Sequence, residues 1–211
     1  MEPMEPTEPL PNPLSAVNLE VAAAVACVAG LVAGAYYLWR WDQRRRMRIV
    51  RTFAVTSCGF DHMSDVLVPD GQGSAVHVDF LLLTARGIIV IDLRDIAGNI
   101  FGGDQMRAWT VMHRAQRFTF DNPQTGLYDR IAAVRALAQG LPVDGRIVFT
   151  GRGHFPKGLP RHTLMLDSLP SEFPVSDRET MRTLLERWMP AWTAIRKAVA
   201  PSQLATPKAA I

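Results

Sequence analysis

Lysine and cysteine are scarce in this 211-residue chain. Lys157, Lys197 and Lys208 are the only lysines among 23 basic side chains, so arginine supplies almost all of the positive charge. Cys27 and Cys58 are too few for a disulfide framework, which excludes the class of small disulfide-stabilised secreted domains. The low cysteine content agrees with a reducing compartment such as the cytoplasm.

Charge is absent from residues 21–39, VAAAVACVAGLVAGAYYLW. This length is close to the roughly 20 residues that a helix needs to cross a bilayer, and aromatic residues gather at its C-terminal end, where rings favour the headgroup boundary. A cleaved signal peptide would need a basic segment before a shorter apolar stretch, and a buried core helix is the other alternative. The sequence therefore predicts a transmembrane helix over 21–39.

The charges on the two sides of this run differ in sign. The preceding tail carries only acids, and the segment that follows carries six arginines, Arg40, Arg44, Arg45, Arg46, Arg48 and Arg51. By the positive-inside rule, the N-terminus lies outside and the rest lies in the cytoplasm, in a single-pass protein of the inner (cell) membrane. These arginines would face anionic lipid, and they account for most of the basic excess, so the sequence has no broad basic face for nucleic acid.

Small residues recur every four positions within the apolar run. Gly30 and Gly34 form a G-x-x-x-G pair, which allows two membrane helices to approach closely. The pattern predicts a homodimer through this face, although small residues are also common in any alanine-rich span.

The rest of the chain predicts one mixed α/β domain. Short strand patterns over 64–69, 76–84, 87–93, 109–112 and 117–120 precede a helix that Asn122 caps and Gly140 ends, and strands over 145–151 and 162–169 follow. Ser176 and Glu179 form a capping box for a last helix that Pro190 should kink or break. The predicted segments are a disordered tail (1–20), the transmembrane helix (21–39), a basic juxtamembrane linker (40–59), the α/β domain (60–170), an amphipathic helical segment (171–200) and a disordered tail (201–211).

Two aspartates stand inside the apolar strands of this domain. Asp79 lies in the strand 76–84, Asp92 ends the next strand, and Arg94 follows on the same strand face. Burying a carboxylate costs free energy unless it is paired. The spacing therefore allows a metal site, a same-face ion pair of Asp92 with Arg94, or solvent-facing positions on a half-exposed strand.

Further residues extend the pattern around these aspartates. The stretch VDFLLLTARGIIVIDLRDIAGNIFGG, then Trp109, the DNP that opens the helix and finally GRIVFTG occur in the order that is typical of the NERD (nuclease-related domain) family, which this segment resembles over about residues 60–170. The resemblance implies a PD-(D/E)XK restriction-endonuclease-like mixed-sheet fold and Mg²⁺-dependent phosphodiester hydrolysis of DNA or RNA. It also implies that Asp79, Asp92 and the Leu93 backbone carbonyl are metal ligands and that Asp79, Asp92 and Arg94 are the catalytic residues.

The sequence departs from the family pattern at three positions. Aspartate replaces the preferred glutamate at Asp92, arginine replaces lysine at Arg94, and Gly126 replaces a glutamine on the helix, for which Gln124 is a candidate substitute. Arginine clamps phosphate but does not give up its proton, so it cannot act as a base. Two functions remain open: an Mg²⁺-dependent nuclease, and a non-catalytic module that binds nucleic acid or protein at the membrane.

Other polar residues are weaker candidates. His77 and Asp79 share a strand face and suggest a transition-metal pair, but no Cys/His set completes it. His154 and His162 flank a basic loop that is typical of solvated surface. The tryptophans are typical of packing: Trp109 in the core, and Trp188 and Trp192 on the last helix.

Overall fold

The computed structural model describes residues 13–174 and 178–202, with the side chains of 13–20, 22–24, 26, 27, 44–46, 48 and 178–181 left out. The chain divides into two compact units, residues 1–50 and 51–211. The predicted capping box of Ser176 and Glu179 lies outside the described residues and side chains.

Helix α1 spans Pro13–Thr56 and contains the uncharged run. It is 44 residues long, so it begins inside the segment predicted to be disordered and continues through the arginine-rich positions after residue 39. In the part of the chain that the structure describes, no helix contains a stretch that is both long and apolar enough to cross a membrane. The transmembrane helix predicted for residues 21–39 is therefore not supported, and the apolar run is one part of a longer helix.

The remaining elements form an α/β domain with two sheets. The strands are β1 (Asp61–Pro69), β2 (Ala75–Thr84), β3 (Gly87–Arg94), β4 (Gly98–Phe101), β5 (Ala108–His113), β6 (Gln116–Asp121), β7 (Val143–Phe149), β8 (Gly153–His154), β9 (Thr163–Met165) and β10 (Ala200–Pro201). The helices are α2 (Pro123–Leu137), α3 (Leu169–Glu172) and α4 (Arg178–Ala198), with a 3₁₀ turn over Leu166–Ser168. The predicted mixed α/β class is confirmed.

The larger sheet has the order β10-β1-β2-β3-β7-β9. Strands β1, β2 and β3 pair antiparallel, whereas β3, β7 and β9 are parallel. The smaller sheet has the order β6-β5-β4-β8. A site at the end of β3 therefore lies where the parallel part of the large sheet begins, and ligands of open α/β sheets bind at the carboxyl ends of such strands.

Helix α2 forms where its sequence predicts it and packs on the large sheet. The side chain of Asn122 accepts a hydrogen bond from the Gln124 N–H, and Pro123 occupies the first turn. Its apolar residues at helical spacing are buried: Leu127, Ile131, Val134 and Ala138. Gly145 on β7 lets the helix lie close, because a Cβ there would stand 2.8 Å from the Ile131 Cδ1.

The structure differs from the predicted elements in several details. The pattern 162–169 gives a strand only over Thr163–Met165, and a 3₁₀ turn follows at once. Strand β4 forms over Gly98–Phe101, where the sequence patterns predict no strand. Helix α4 continues through Pro190 instead of breaking there, and it docks through buried Trp188 and Trp192.

Candidate functional site

Asp92 lies at the carboxyl end of β3 and is 1% exposed. Its Oδ2 accepts a hydrogen bond from Arg94 Nη2 at 2.7 Å. The two residues are two positions apart on one strand, so they share a face, as the sequence predicts. The ion pair of Asp92 with Arg94, one of the three alternatives, is therefore present.

A third charged residue enters this cluster from helix α2. Arg130 Nη1 lies 3.4 Å from the same Asp92 Oδ2, and its Nε donates to the His77 carbonyl oxygen at 2.6 Å. Arg130 thus joins the beginning of β2 to the end of β3. Sequence patterns did not single it out, although a small residue four positions earlier on the helix, Gly126, is the signal that could have found it.

Gly126 leaves the room that the Arg130 guanidinium uses. A Cβ at this position would stand 3.1 Å from Arg130 Nη1. The space beside Gly126 therefore holds the Arg130 guanidinium.

Gln124 does not take the place of the missing glutamine at this cluster. It is buried, and its Nε2 donates to Asp104 Oδ1 at 2.9 Å and to the Arg161 carbonyl oxygen at 2.8 Å. The same Asp104 carboxylate accepts the Arg161 N–H. Together these hydrogen bonds lower the pKa of Asp104. Gln124 therefore ties the start of α2 to the loops around Asp104 and Arg161.

Asp79 stands on β2 across from Asp92. Phe80 pairs with Ile91, so the same antiparallel register continued by one residue brings Asp79 opposite Asp92. Asp79 Oδ2 accepts the Leu93 N–H at 2.9 Å, and its side chain is 14% exposed. The two carboxylates lie on neighbouring strands, as expected, but Asp79 contacts the backbone amide of Leu93; a metal-binding role for the Leu93 carbonyl stays a prediction.

Strand β2 does not keep a simple alternation near Asp79. Val78 and Leu81 pack in the same buried cluster, whereas strict alternation would place them on opposite faces. Asp65, at the corresponding place on β1, has a positive φ of 51°. The sheet therefore changes face at this point, which period-two patterns cannot anticipate.

The donor set fits a hard divalent cation poorly at Asp92. The two carboxylates of Asp79 and Asp92 are matched in number by the guanidinium groups of Arg94 and Arg130, so these four side chains together carry no net charge. Mg²⁺ is bound by carboxylate oxygens and waters, and here the Asp92 Oδ2 is engaged by two cations. A divalent cation at the Asp92 Oδ2 would therefore compete with the Arg94 and Arg130 guanidinium groups.

A second ion cluster lies one residue after Arg94. Asp95 accepts hydrogen bonds from Thr150 Oγ1 at 2.7 Å and from Arg51 Nη1 at 2.6 Å, and Arg152 Nη1 lies 3.1 Å away. Burial raises the pKa of Asp95, but the hydrogen bonds and the two guanidinium charges outweigh burial and lower it. This cluster joins the ends of β3 and β7 to Arg51.

The remaining sequence candidates lie elsewhere. His154 is exposed on β8. His162 stacks edge-to-face on Tyr128 at 5.6 Å, with its Nδ1 3.7 Å from Asp144. Trp109 is fully buried beside Phe120, Phe149 and Phe155, as its packing role predicts.

Comparison with known proteins gives a match to a family model that covers the segment containing the Asp92 cluster. No curated protein and no solved structure matches the chain. Residues 48–150 match the family model described as NERD, the nuclease-related domain. This segment contains Asp79, Asp92, Arg94 and Arg130, and over it the chain is similar to the NERD family.

Proposed function

We propose that this chain carries a nuclease-related domain that binds the phosphate backbone of nucleic acid and does not hydrolyse it through an Mg²⁺ ion at Asp79 and Asp92. The main support for this proposal is that Asp92 is almost fully buried and that its Oδ2 contacts both Arg94 and Arg130. A charge-balanced carboxylate of this kind has little to offer a hard cation.

The two arginines supply the phosphate contacts in this proposal. A guanidinium has five N–H donors, and the bonds to His77 and Asp92 use two of those on Arg130. The Arg94 and Arg130 side chains are 25% and 18% exposed, so each reaches solvent at the edge of the sheet. Arginine is well suited to phosphate because its planar fork matches the phosphate oxygens.

Binding is tested with the purified full-length chain and fluorescently labelled duplex DNA and single-stranded RNA of one sequence. We expect anisotropy to report binding to at least one of them, weakening as salt rises because counterions are released. Arg130→Gln should weaken binding and reduce the salt slope by about one unit. Arg135→Gln, the same change on the same helix, is the matched control and should leave binding unchanged; absence of binding to either nucleic acid would refute the proposal.

A second candidate function, the Mg²⁺-dependent nuclease, is favoured by the register that sets Asp79 opposite Asp92 and by the family match. In that case Asp79 and Asp92 hold the metal, which would supply Lewis-acid chemistry at the scissile phosphate, and Arg94 holds the phosphate. Cleavage of the same nucleic acids with Mg²⁺, its loss in Asp92→Asn and its retention or increase in Arg94→Lys would establish this function and overturn the binding-only proposal.

A further inference from the structure

We propose that Asp65, His77 and Asp79 form a binding site for one divalent transition-metal ion. The side chains of Asp65 and His77 take no part in the proposed function, so the inference does not rest on it. The three residues lie at the point where β1 and β2 change face, and one ligand atom from each lies within 4.8 Å of the others.

The distances are close to those of a coordination shell. His77 Nε2 lies 3.5 Å from Asp65 Oδ1, and His77 Nδ1 lies 3.5 Å from Asp79 Oδ1. Two ligand atoms held about 2.0–2.2 Å from one ion at a tetrahedral angle are themselves roughly 3.4 Å apart. One ion can bind only one of the two ring nitrogens, and in this proposal it binds Nε2, the nitrogen beside Asp65. The Asp79 side chain then has to rotate toward that ion, although one ligand atom from each of the three residues already lies within 4.8 Å of the others.

The imidazole gives an independent indication. His77 Nε2 is buried and makes no hydrogen bond to any group in the described part of the chain, although the Asp65 carboxylate stands beside it. The contact of 3.5 Å does not have the geometry of a hydrogen bond, so the Nε2 atom is left without a hydrogen-bond partner. A bound metal ion would satisfy it and would also relieve the approach of two carboxylates to one ring.

The ligand set also selects the class of ion. One imidazole with two carboxylates is a mixed nitrogen and oxygen set, which favours ions such as Zn²⁺ and Co²⁺ over Mg²⁺. Asp65 is 64% exposed, so the ion can enter from solvent and keep water in its open positions. The site therefore has three protein ligands and an accessible face, the arrangement of zinc sites that retain a water molecule.

Titration of the full-length chain with Co²⁺, followed by its ligand-field absorption, tests the proposal, with Zn²⁺ and Mg²⁺ as competitors. We expect one Co²⁺ per chain, displacement by Zn²⁺ at equal concentration, and no displacement by a hundredfold excess of Mg²⁺. His77→Gln and Asp65→Asn should each weaken binding at least tenfold. A rise of the melting temperature with Zn²⁺ should accompany binding and disappear in both variants.

Two matched controls keep the result specific to this site. His62→Gln changes an exposed histidine on the same strand as Asp65, and Asp121→Asn changes an exposed aspartate on β6; neither should alter binding. The proposal is overturned if Co²⁺ gives no stoichiometric spectrum, if Mg²⁺ displaces it readily, or if His62→Gln weakens binding as much as His77→Gln. None of these measurements depends on nucleic-acid binding or cleavage, so the two proposals fail separately.

Discussion

The guanidinium of Arg94 partners a carboxylate that has almost no access to water. Removing one member of a buried ion pair typically costs 3–5 kcal/mol, because the other charge is stranded. Arg130 still contacts Asp92 after Arg94→Ala, so we expect the lower end of that range, about 3 kcal/mol in the free energy of unfolding. Urea denaturation measures it.

The control for this loss is Arg182→Ala, which breaks an exposed pair with Glu186 one turn away on α4. Exposed pairs of this kind contribute little, so the change should stay within about 0.5 kcal/mol. Equal losses of stability in Arg94→Ala and Arg182→Ala would show that the buried Asp92 carboxylate is not stabilised by Arg94.

Asp95 should make stability depend on pH in the acid range. Its pKa is lowered in the folded chain, so the contribution is present above the unfolded pKa and is lost as pH falls through the folded one. The unfolded value is near 3.9, so we expect the loss below about pH 4. Asp95→Asn should cost about 1.5–3 kcal/mol at pH 7, the usual value of hydrogen bonds to a charged group, and less at pH 3. Urea denaturation of both proteins at the two pH values measures this, and a difference that does not shrink on acidification would contradict it.

At the residue scale, the sequence predicts contacts between residues of one strand better than contacts between residues that are distant in sequence. Asp92 and Arg94 are two residues apart, so strand geometry alone brings them together. Arg130 lies 38 residues from Asp92, and its arrival depends on how α2 packs on the sheet. Asp65 likewise joins His77 only because β1 and β2 pair and change face together.

At the element scale, helix α2 carries a test of why Gly126 is a glycine. Alanine in a helix interior is favoured over glycine by up to about 1 kcal/mol. Its Cβ would stand 3.1 Å from the Arg130 guanidinium, which is fixed by Asp92 and His77, so the gain should be offset in the native protein. With Arg130→Ala also present, Gly126→Ala should recover most of that 1 kcal/mol.

The original protein, Gly126→Ala, Arg130→Ala and the double variant form a double-mutant cycle, and urea denaturation measures the stability of all four. A coupling of about 0.5–1 kcal/mol between the two positions is expected, as for residues in contact. Equal gains with and without Arg130 would show that the glycine does not make room for the guanidinium.

Elements whose signals are local are the ones that the sequence predicts well. The start of α2 at Asn122–Pro123 depends on adjacent residues and forms as predicted. The two strands predicted over 76–84 and 87–93 also form, and they pair as an antiparallel hairpin. Strand β4 was missed because its pairing with β5 and β8, and not its glycine-rich sequence, holds it extended. Pro190 does not break α4, and the buried Trp188 and Trp192 on either side show that packing stabilises the helix there.

At the scale of the whole molecule, the sequence and the structure disagree most at the N-terminal helix. The apolar run that suggested a membrane span is continuous with a much longer helix, and patterns of hydropathy alone cannot show where a helix ends. Its described side chains remain apolar and exposed, including Val28, Val32, Leu31 and Tyr37. The length of the apolar run alone therefore does not determine where the protein lies in the cell.

We propose from the sequence alone that the protein is held at the inner membrane with its N-terminus outside and residues 51–211 in the cytoplasm, because all of the basic residues follow the apolar run. The structure does not support the membrane-crossing helix that this location needs, so experiment has to decide. Cell fractionation should then find the full-length chain in membranes after an alkaline carbonate wash, which removes peripheral proteins. A reporter enzyme that is active only outside the membrane should be active at the N-terminus and silent after residue 211. Replacing Val28 and Val32 by aspartate should release the protein, because a charged residue costs about 2.5–3.5 kcal/mol at the centre of a membrane helix. The matched control replaces the exposed Met106 and Met112 of the domain by aspartate and should leave the distribution unchanged; recovery of the unsubstituted chain in the soluble fraction would refute the membrane location.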